Sequence, residues 1–207
     1  MKDEVLNRLM NAVLTYDPEA AFNTAKETLQ KGIDPIEAIE EGLAKGVRIA
    51  GELVMAAEAM KQVLKVFEPA ILKSAKKKKT LGKVLIGTVE GDIHDIGKNI
   101  VSTLLMVTGF EVIDIGVDVS AEKFIEKVKE VEPGVVGMSA LMITTMIKMA
   151  SVIEALKCEG LREKVKIIIG RAPTSKKWAD EIGAAGHGAD AMETVKIAKK
   201  LVGVLNN

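Results

Sequence analysis

The chain has 207 residues, 48% hydrophobic and 28% charged: enough apolar material for one large domain or two small ones, and too much for a disordered chain. Its 29 basic and 29 acidic residues cancel and aromatics make up only 3%, so neither a charge-driven nucleic-acid partner nor a base-stacking platform is expected. A single cysteine, Cys158, excludes an internal disulfide and a cysteine zinc cluster, Met1-Lys2-Asp3-Glu4 lacks an apolar signal core, and no run is long enough to span a membrane; the expectation is a cytoplasmic protein with no membrane partner.

Up to about Ser74 the pattern is helical throughout. Val5, Leu6, Leu9, Met10, Val13 and Leu14 recur at helical spacing, and Asp17-Pro18 and Asp34-Pro35 are helix starts. A third helix is expected over 36–47 and a fourth, rich in Ala and Met, from Glu52 to about Leu72. Four amphipathic helices with short connections predict an antiparallel bundle over 1–79. Methionines at helical spacing there, Met55 and Met60 among them, are expected in its core. The run Lys76-Lys77-Lys78-Lys79 is expected as a solvated helix end and interdomain linker.

From about residue 80 onward strands and helices alternate. Strands are expected at 83–89, 111–115, 134–139 and 165–170, and helices at 98–108, 121–131, 144–158, 175–183 and 190–204. Three of the strands are almost wholly apolar, as strands covered on both faces must be. Right-handed crossovers then give a doubly wound, Rossmann-like parallel sheet of about five strands over 80–207. The fifth falls in Gly183-Ala184-Ala185-Gly186-His187-Gly188, which has few β-formers and should be short or irregular.

In such a sheet ligands bind at the carboxyl ends of the strands. Three segments fall there: Gly91-Asp92-Ile93-His94-Asp95-Ile96-Gly97, Gly137-Met138-Ser139-Ala140-Leu141 and Gly170-Arg171-Ala172-Pro173-Thr174. His94 is one of two histidines, and a carboxylate two residues away suits an imidazole metal ligand with its supporting partner. Taken alone, so short a triplet is better read as a surface histidine in a helix-capping loop with Asp95 as N-cap. The glycines let a bulky ligand approach the backbone, and Ser139 offers a hydroxyl nearby.

Asp92-x-His94-x-x-Gly97 followed by Ser139-x-Leu141 and then Gly170 resembles the cobalamin-binding domain of corrinoid proteins. The stretches 89–101 and 109–119 resemble the methyltransferase corrinoid proteins in particular, as do Val54-Met55-Ala56-Ala57-Glu58-Ala59-Met60 and Ala179-Asp180-Glu181-Ile182-Gly183-Ala184. The resemblance implies cobalamin bound base-off, with His94 as the lower cobalt ligand, Asp92 hydrogen-bonded to the other imidazole nitrogen and Ser139 holding Asp92. It implies a cofactor surface formed by Gly91, Asp92, Ile93, His94, Asp95, Ile96, Gly97, Met138, Ser139, Leu141, Ile143, Gly170 and Arg171. The nucleotide tail would thread between the second and third loops, with the helical half over the upper face. The implied role is a methyl carrier without turnover of its own. It would work between a substrate:corrinoid methyltransferase and a methylcorrinoid:acceptor methyltransferase that uses a thiol cofactor or tetrahydrofolate, with a reductive activator as a further partner.

The chain departs from the family pattern at four places. Arg171 follows Gly170 where a second glycine is usual, Ile143 replaces a common threonine, His187 stands where tyrosine is frequent, and the stretch from Gly46 to Leu53 is shorter than in relatives. Two other classes share the topology. The small subunit of an adenosylcobalamin-dependent mutase has the same three loops, but not the helical half. A regulator would want either a phospho-acceptor aspartate where Ser139 stands or a basic DNA-binding helix, and the neutral helical half offers none.

Overall fold

The computed structural model describes residues 2–43, 53–75 and 80–204, and the chain divides into two compact units, Met1–Lys78 and Lys79–Asn207.

In the first unit α1 (Lys2–Leu14) buries Val5, Leu6, Leu9, Ala12 and Val13, the stripe that its periodicity predicts. Asp17 caps α2 (Pro18–Gln30), accepting a hydrogen bond from the Ala20 N–H at 2.9 Å, with Pro18 in the first turn. The third helix starts at the expected proline but is short. α3 (Pro35–Ala38) widens at once into a π-helical turn, Ile39–Leu43, and the remainder of the predicted helix lies outside the described residues. Gly42 in that turn abuts α1, where a Cβ would lie 3.1 Å from Leu9 Cδ2 and 3.2 Å from the Leu6 carbonyl oxygen. α4 (Leu53–Ala75) packs on α1 and α2 and buries Ala59, Met60, Val63 and Phe67; the side chain of Met55 and the lysine run lie outside the description.

Arg8 on α1 and Lys31 after α2 both grip Glu27, at 2.6 and 2.7 Å. Arg8 first and Lys31 second draw the Glu27 carboxyl down to about 2 from its ordinary 4.5. A carboxyl lowered by folding stabilises the fold above its ordinary value and loses that contribution as pH falls from 4.5 towards 2. Glu27→Gln should therefore be less stable than wild type at pH 6, by a small amount because the pair is at the surface, with the gap closing below pH 4. Melting curves across that range check it, and a gap that widens in acid would contradict the pairing.

The second unit is an all-parallel sheet in the order β2-β1-β3-β4-β5. Its strands are β1 (Lys83–Thr88), β2 (Glu111–Asp114), β3 (Val135–Ser139), β4 (Lys166–Gly170) and the short β5 (Gly186–Gly188). The helices are α5 (Ile96–Val107), α6 (Ala121–Val131), α7 (Ile143–Cys158), α8 (Lys176–Ile182) and α9 (Ala191–Leu201). β1 and β3 are buried almost end to end, which explains their lack of polar alternation. α5 and α9 pack against each other on one face of the sheet. α6, α7 and α8 cover the other, where Leu85, Val136, Met138, Ile167, Phe124, Met149 and Ile153 form the main core. Gly87 has a specific role there, because a Cβ would lie 2.8 Å from Ile115 and 2.9 Å from the Phe124 ring. Among the described residues no helix is long and apolar enough to cross a membrane.

Candidate functional site

The strand order reverses direction between β1 and β3, so the loops that leave these two strands part on either side of a crevice, the usual ligand position in open α/β sheets. The register aligns the carboxyl ends in a row: Thr88 with Ser139, Ser139 with Gly170, Gly170 with Gly188. Strand alternation turns these small residues to the α5/α9 face.

Asp92 lies at the centre of the crevice, fully buried. Its Oδ1 accepts from the His94 main-chain N–H at 3.0 Å and lies 2.8 Å from His94 Nδ1. Its Oδ2 accepts from the Leu141 N–H at 2.7 Å and from the Thr145 hydroxyl at 2.8 Å. Burial alone pushes this carboxyl upward, but the hydrogen bonds outweigh it: the Leu141 and His94 amides first, then the Thr145 hydroxyl and the His94 ring. The net result is a carboxyl held well below the usual carboxylate range. An ionised Asp92 can only accept, so His94 Nδ1 must carry the shared proton and Nε2 keeps its lone pair. The His94 side chain is 43% exposed, and among the described residues Nε2 has no hydrogen-bond partner.

The loop around this pair is fixed at several points. Thr88 Oγ1 donates to the His94 carbonyl at 3.2 Å. The Gly91 N–H, at a positive φ of 79°, donates to Asp118 Oδ1 at 2.7 Å, and the Asp118 N–H returns to the Asp92 carbonyl at 2.9 Å. Lys98, buried in the first turn of α5, forms an ion pair with Asp114 at the end of β2 and donates to Asn99 Oδ1 at 2.9 Å. Asp95 stands at the N-cap position of α5 without capping through its side chain, which accepts instead from Asn99 Nδ2 at 3.1 Å.

Around His94 the rim is apolar and open to solvent: Ile93 is 73% exposed, Ile143 74%, Ile96 39% and Met142 38%. Exposed aliphatic side chains gathered at one strand-end rim mark a surface for an apolar partner. Among the described residues no group of three or more His, Cys, Asp or Glu is placed to hold a metal ion. A lone imidazole nitrogen in an aliphatic collar suits a metal that brings its own equatorial ligands in a broad ring, rather than a bare ion that needs three or four side chains. Two buried hydroxyls, Ser139 Oγ and Ser102 Oγ of α5, have no hydrogen-bond partner among the described residues. Orphaned buried polar atoms on the α5/α9 side fit a polar ligand segment inserted between helix and sheet.

Several expected roles shift. Ser139 does not hold Asp92: it points to the α5/α9 face, and the hydroxyl that reaches Asp92 comes from Thr145 on α7, on the opposite side. Leu141 contributes its main-chain N–H. Met138, one residue before Ser139, points by alternation into the α6/α7 core and away from the rim. Ile143 opens α7 on the exposed rim. The gap at Gly97 is filled by Arg171, since a Cβ there would lie 1.9 Å from its Nη1 and 2.8 Å from its Cζ. His187 on β5 places Nε2 3.1 Å from Thr174 Oγ1.

The topology, the switch-point crevice and the lone outward imidazole together define a parallel-sheet cofactor carrier. Comparison with known proteins makes the class specific. Family models described as a B12 binding domain match residues 82–196 and 5–54. The trimethylamine corrinoid protein 2 of Methanosarcina mazei is 43% identical over 97% of this chain and 98% of its own. The solved structure of the Methanosarcina barkeri monomethylamine corrinoid protein matches with a TM-score of 0.80 at 32% identity, covering 97% of this chain and 100% of that one. The structure of the methanol:cobalamin methyltransferase complex from Methanosarcina barkeri matches with a TM-score of 0.58 at 28% identity, over 100% of this chain and 83% of that one. The chain belongs to the B12-binding corrinoid proteins of methyltransferase systems.

Proposed function

We propose that this chain is a methyl carrier that would hold cobalamin base-off, with His94 Nε2 as the atom that would bind its cobalt. It serves between a substrate-specific methyltransferase and a second methyltransferase whose acceptor is a thiol cofactor or tetrahydrofolate, in the cytoplasm, with a reductive activator as a third partner. The observation that carries this reading is the bare Nε2 of His94, fixed in tautomer by a buried, ionised Asp92 and ringed by exposed aliphatic side chains. The names of the relatives support the methyl-transfer context and favour a methylamine as the methyl source.

When bound, a corrinoid supplies a cobalt centre able to take up and release a methyl group, and the difficult chemistry is the cofactor's. The chain supplies position and electronics. Asp92 keeps the Nδ1 proton on the ring and so leaves the Nε2 lone pair facing outward. Leu141 and Thr145 keep Asp92 from moving, and the Ile93, Ile96, Met142 and Ile143 rim would keep water from Nε2 once a corrinoid is seated on it. The corrin's polar tail would find Ser139 and Ser102 on the α5/α9 side.

The test is reconstitution with hydroxocobalamin followed by absorption spectroscopy. Wild type should retain the corrin through gel filtration with a base-off, histidine-ligated spectrum, and His94→Ala should lose the histidine-ligated features. A wild-type protein that elutes free of corrin would sink the function. Identical wild-type and His94→Ala spectra in every oxidation state would sink the ligand assignment alone.

A further inference from the structure

Arg171 is the residue in the crevice that the geometry of the sheet least explains. It follows Gly170 at the end of β4 with φ of 94°, a left-handed backbone that a side chain adopts only under strain. The strained position is held from one side: the Arg171 carbonyl accepts from both the Thr174 N–H at 2.9 Å and the Thr174 hydroxyl at 2.6 Å. A glycine would satisfy this turn at no steric cost, yet the chain carries an arginine and bends it inward.

The guanidinium reaches across to α5 and occupies the space beside Gly97. Among the described residues it has no hydrogen-bond partner there. Its Nε is buried and unbonded, and among the described residues no carboxylate lies within salt-bridge distance. Burial pushes this guanidinium below its ordinary value, while the charges of Asp92 and Asp95 pull the other way. A half-buried cation with an unbonded Nε, on the residue that follows Gly170 at the strand-end row, is prepared for an anion. Corrin side amides are neutral; a nucleotide-bearing corrinoid offers one negative group in its tail, the phosphodiester.

Building on the corrinoid reading above, we propose that Arg171 recognises the tail phosphate and makes this chain selective for corrinoids that carry one. A guanidinium presents two donors in a plane that matches phosphate oxygens. Charge-assisted hydrogen bonds formed away from bulk water carry enough energy to set a preference of about 10- to 100-fold.

The experiment titrates the cofactor-free full chain by absorbance with aquocobinamide, which has neither phosphate nor base, with cobinamide phosphate, which adds the phosphate alone, and with hydroxocobalamin. Wild type should bind cobinamide phosphate ~10- to 100-fold more tightly than cobinamide. Arg171→Gly should bring that ratio close to one, and Arg171→Lys should keep part of it. Arg171→Gly suits the backbone at this turn, so its fold is not at risk. A preference for phosphate that survives in Arg171→Gly overturns the proposal. So does a gain in affinity for all three ligands, which would make the arginine an obstruction and nothing more. A wild type that binds none of the three overturns the corrinoid reading itself.

Discussion

Asp92→Ala is expected to destabilise the sheet unit by about 3 kcal/mol or more and to abolish retention of a corrinoid, the largest effect of any single substitution in the crevice. The reason is arithmetic on donors. The carboxylate is fully buried and accepts from two main-chain amides, one hydroxyl and one ring nitrogen. Removing it leaves the Leu141 and His94 amides without their acceptor, at about 1–3 kcal/mol each, leaves the Thr145 hydroxyl only the Met142 carbonyl at 3.0 Å, and frees the His94 loop. Asp92→Asn separates the two consequences, because it keeps volume and one acceptor oxygen. An amide cannot accept at both ends, so either the Leu141–Thr145 side or the His94 side loses its partner. If the amide NH2 faces His94, it donates to Nδ1, the ring proton moves to Nε2, and the ligand lone pair is lost. Urea melts should place Asp92→Asn between Asp92→Ala and wild type, and its reconstituted spectrum should lack histidine ligation. An Asp92→Asn protein with wild-type stability and a wild-type spectrum would show that Asp92 neither braces the loop nor sets the tautomer.

The parts of this site that were legible in the sequence are those whose signal is local. β1 and β3 are unbroken apolar runs, and the Asp92-x-His94-x-x-Gly97 loop sits between a strand and a helix start in sequence as it does in space. What escaped depends on which face a side chain takes. Met138 and Ser139 are neighbours in one strand-end segment, but alternation sends them to opposite sides of the sheet, so a segment-wide assignment to the cofactor was too coarse. Thr145 left a usable trace. It falls on the stripe Thr145, Met149, Val152, Ile153 and Leu156, and a hydroxyl on an otherwise apolar buried stripe needs a partner. Lys98 left the same kind of trace, the one charged residue of the apolar-rich α5, whose buried ammonium needs an anion such as Asp114. Nothing in the sequence could show that Arg171 folds over Gly97, because 74 residues separate the two and only the parallel packing of β4 and α5 around β1 and β3 brings them together.

The exchange of roles between Thr145 and Ser139 gives the sharpest contrast in the site. Thr145→Val keeps shape and removes only the hydroxyl, so a buried carboxylate loses one of four donors; a hydrogen bond to a charged group is worth about 1.5–3 kcal/mol, and the loss of stability should fall in that range. The same change should loosen His94, seen as a mixed or shifted axial-ligand spectrum after reconstitution, because Asp92 Oδ2 would be held by the Leu141 amide alone. Thr145→Ser should restore both properties in large part, since the hydroxyl returns. Ser139→Ala should do the reverse. In the cofactor-free protein its Oγ is buried without a partner, and deleting an unsatisfied hydroxyl is neutral or stabilising by up to about 1 kcal/mol. Its penalty should appear only on corrinoid binding, where the tail would supply the missing partner. The four proteins, wild type included, therefore rank differently by urea melting and by corrin affinity: Thr145→Val is last in stability, whereas Ser139→Ala is at or near the top in stability and weakened in affinity. If Ser139→Ala is instead the variant that unfolds early and Thr145→Val melts with wild type, the brace on Asp92 runs through Ser139 after all, and the crevice must rearrange in solution to let a side chain on the α5/α9 face cross to the other.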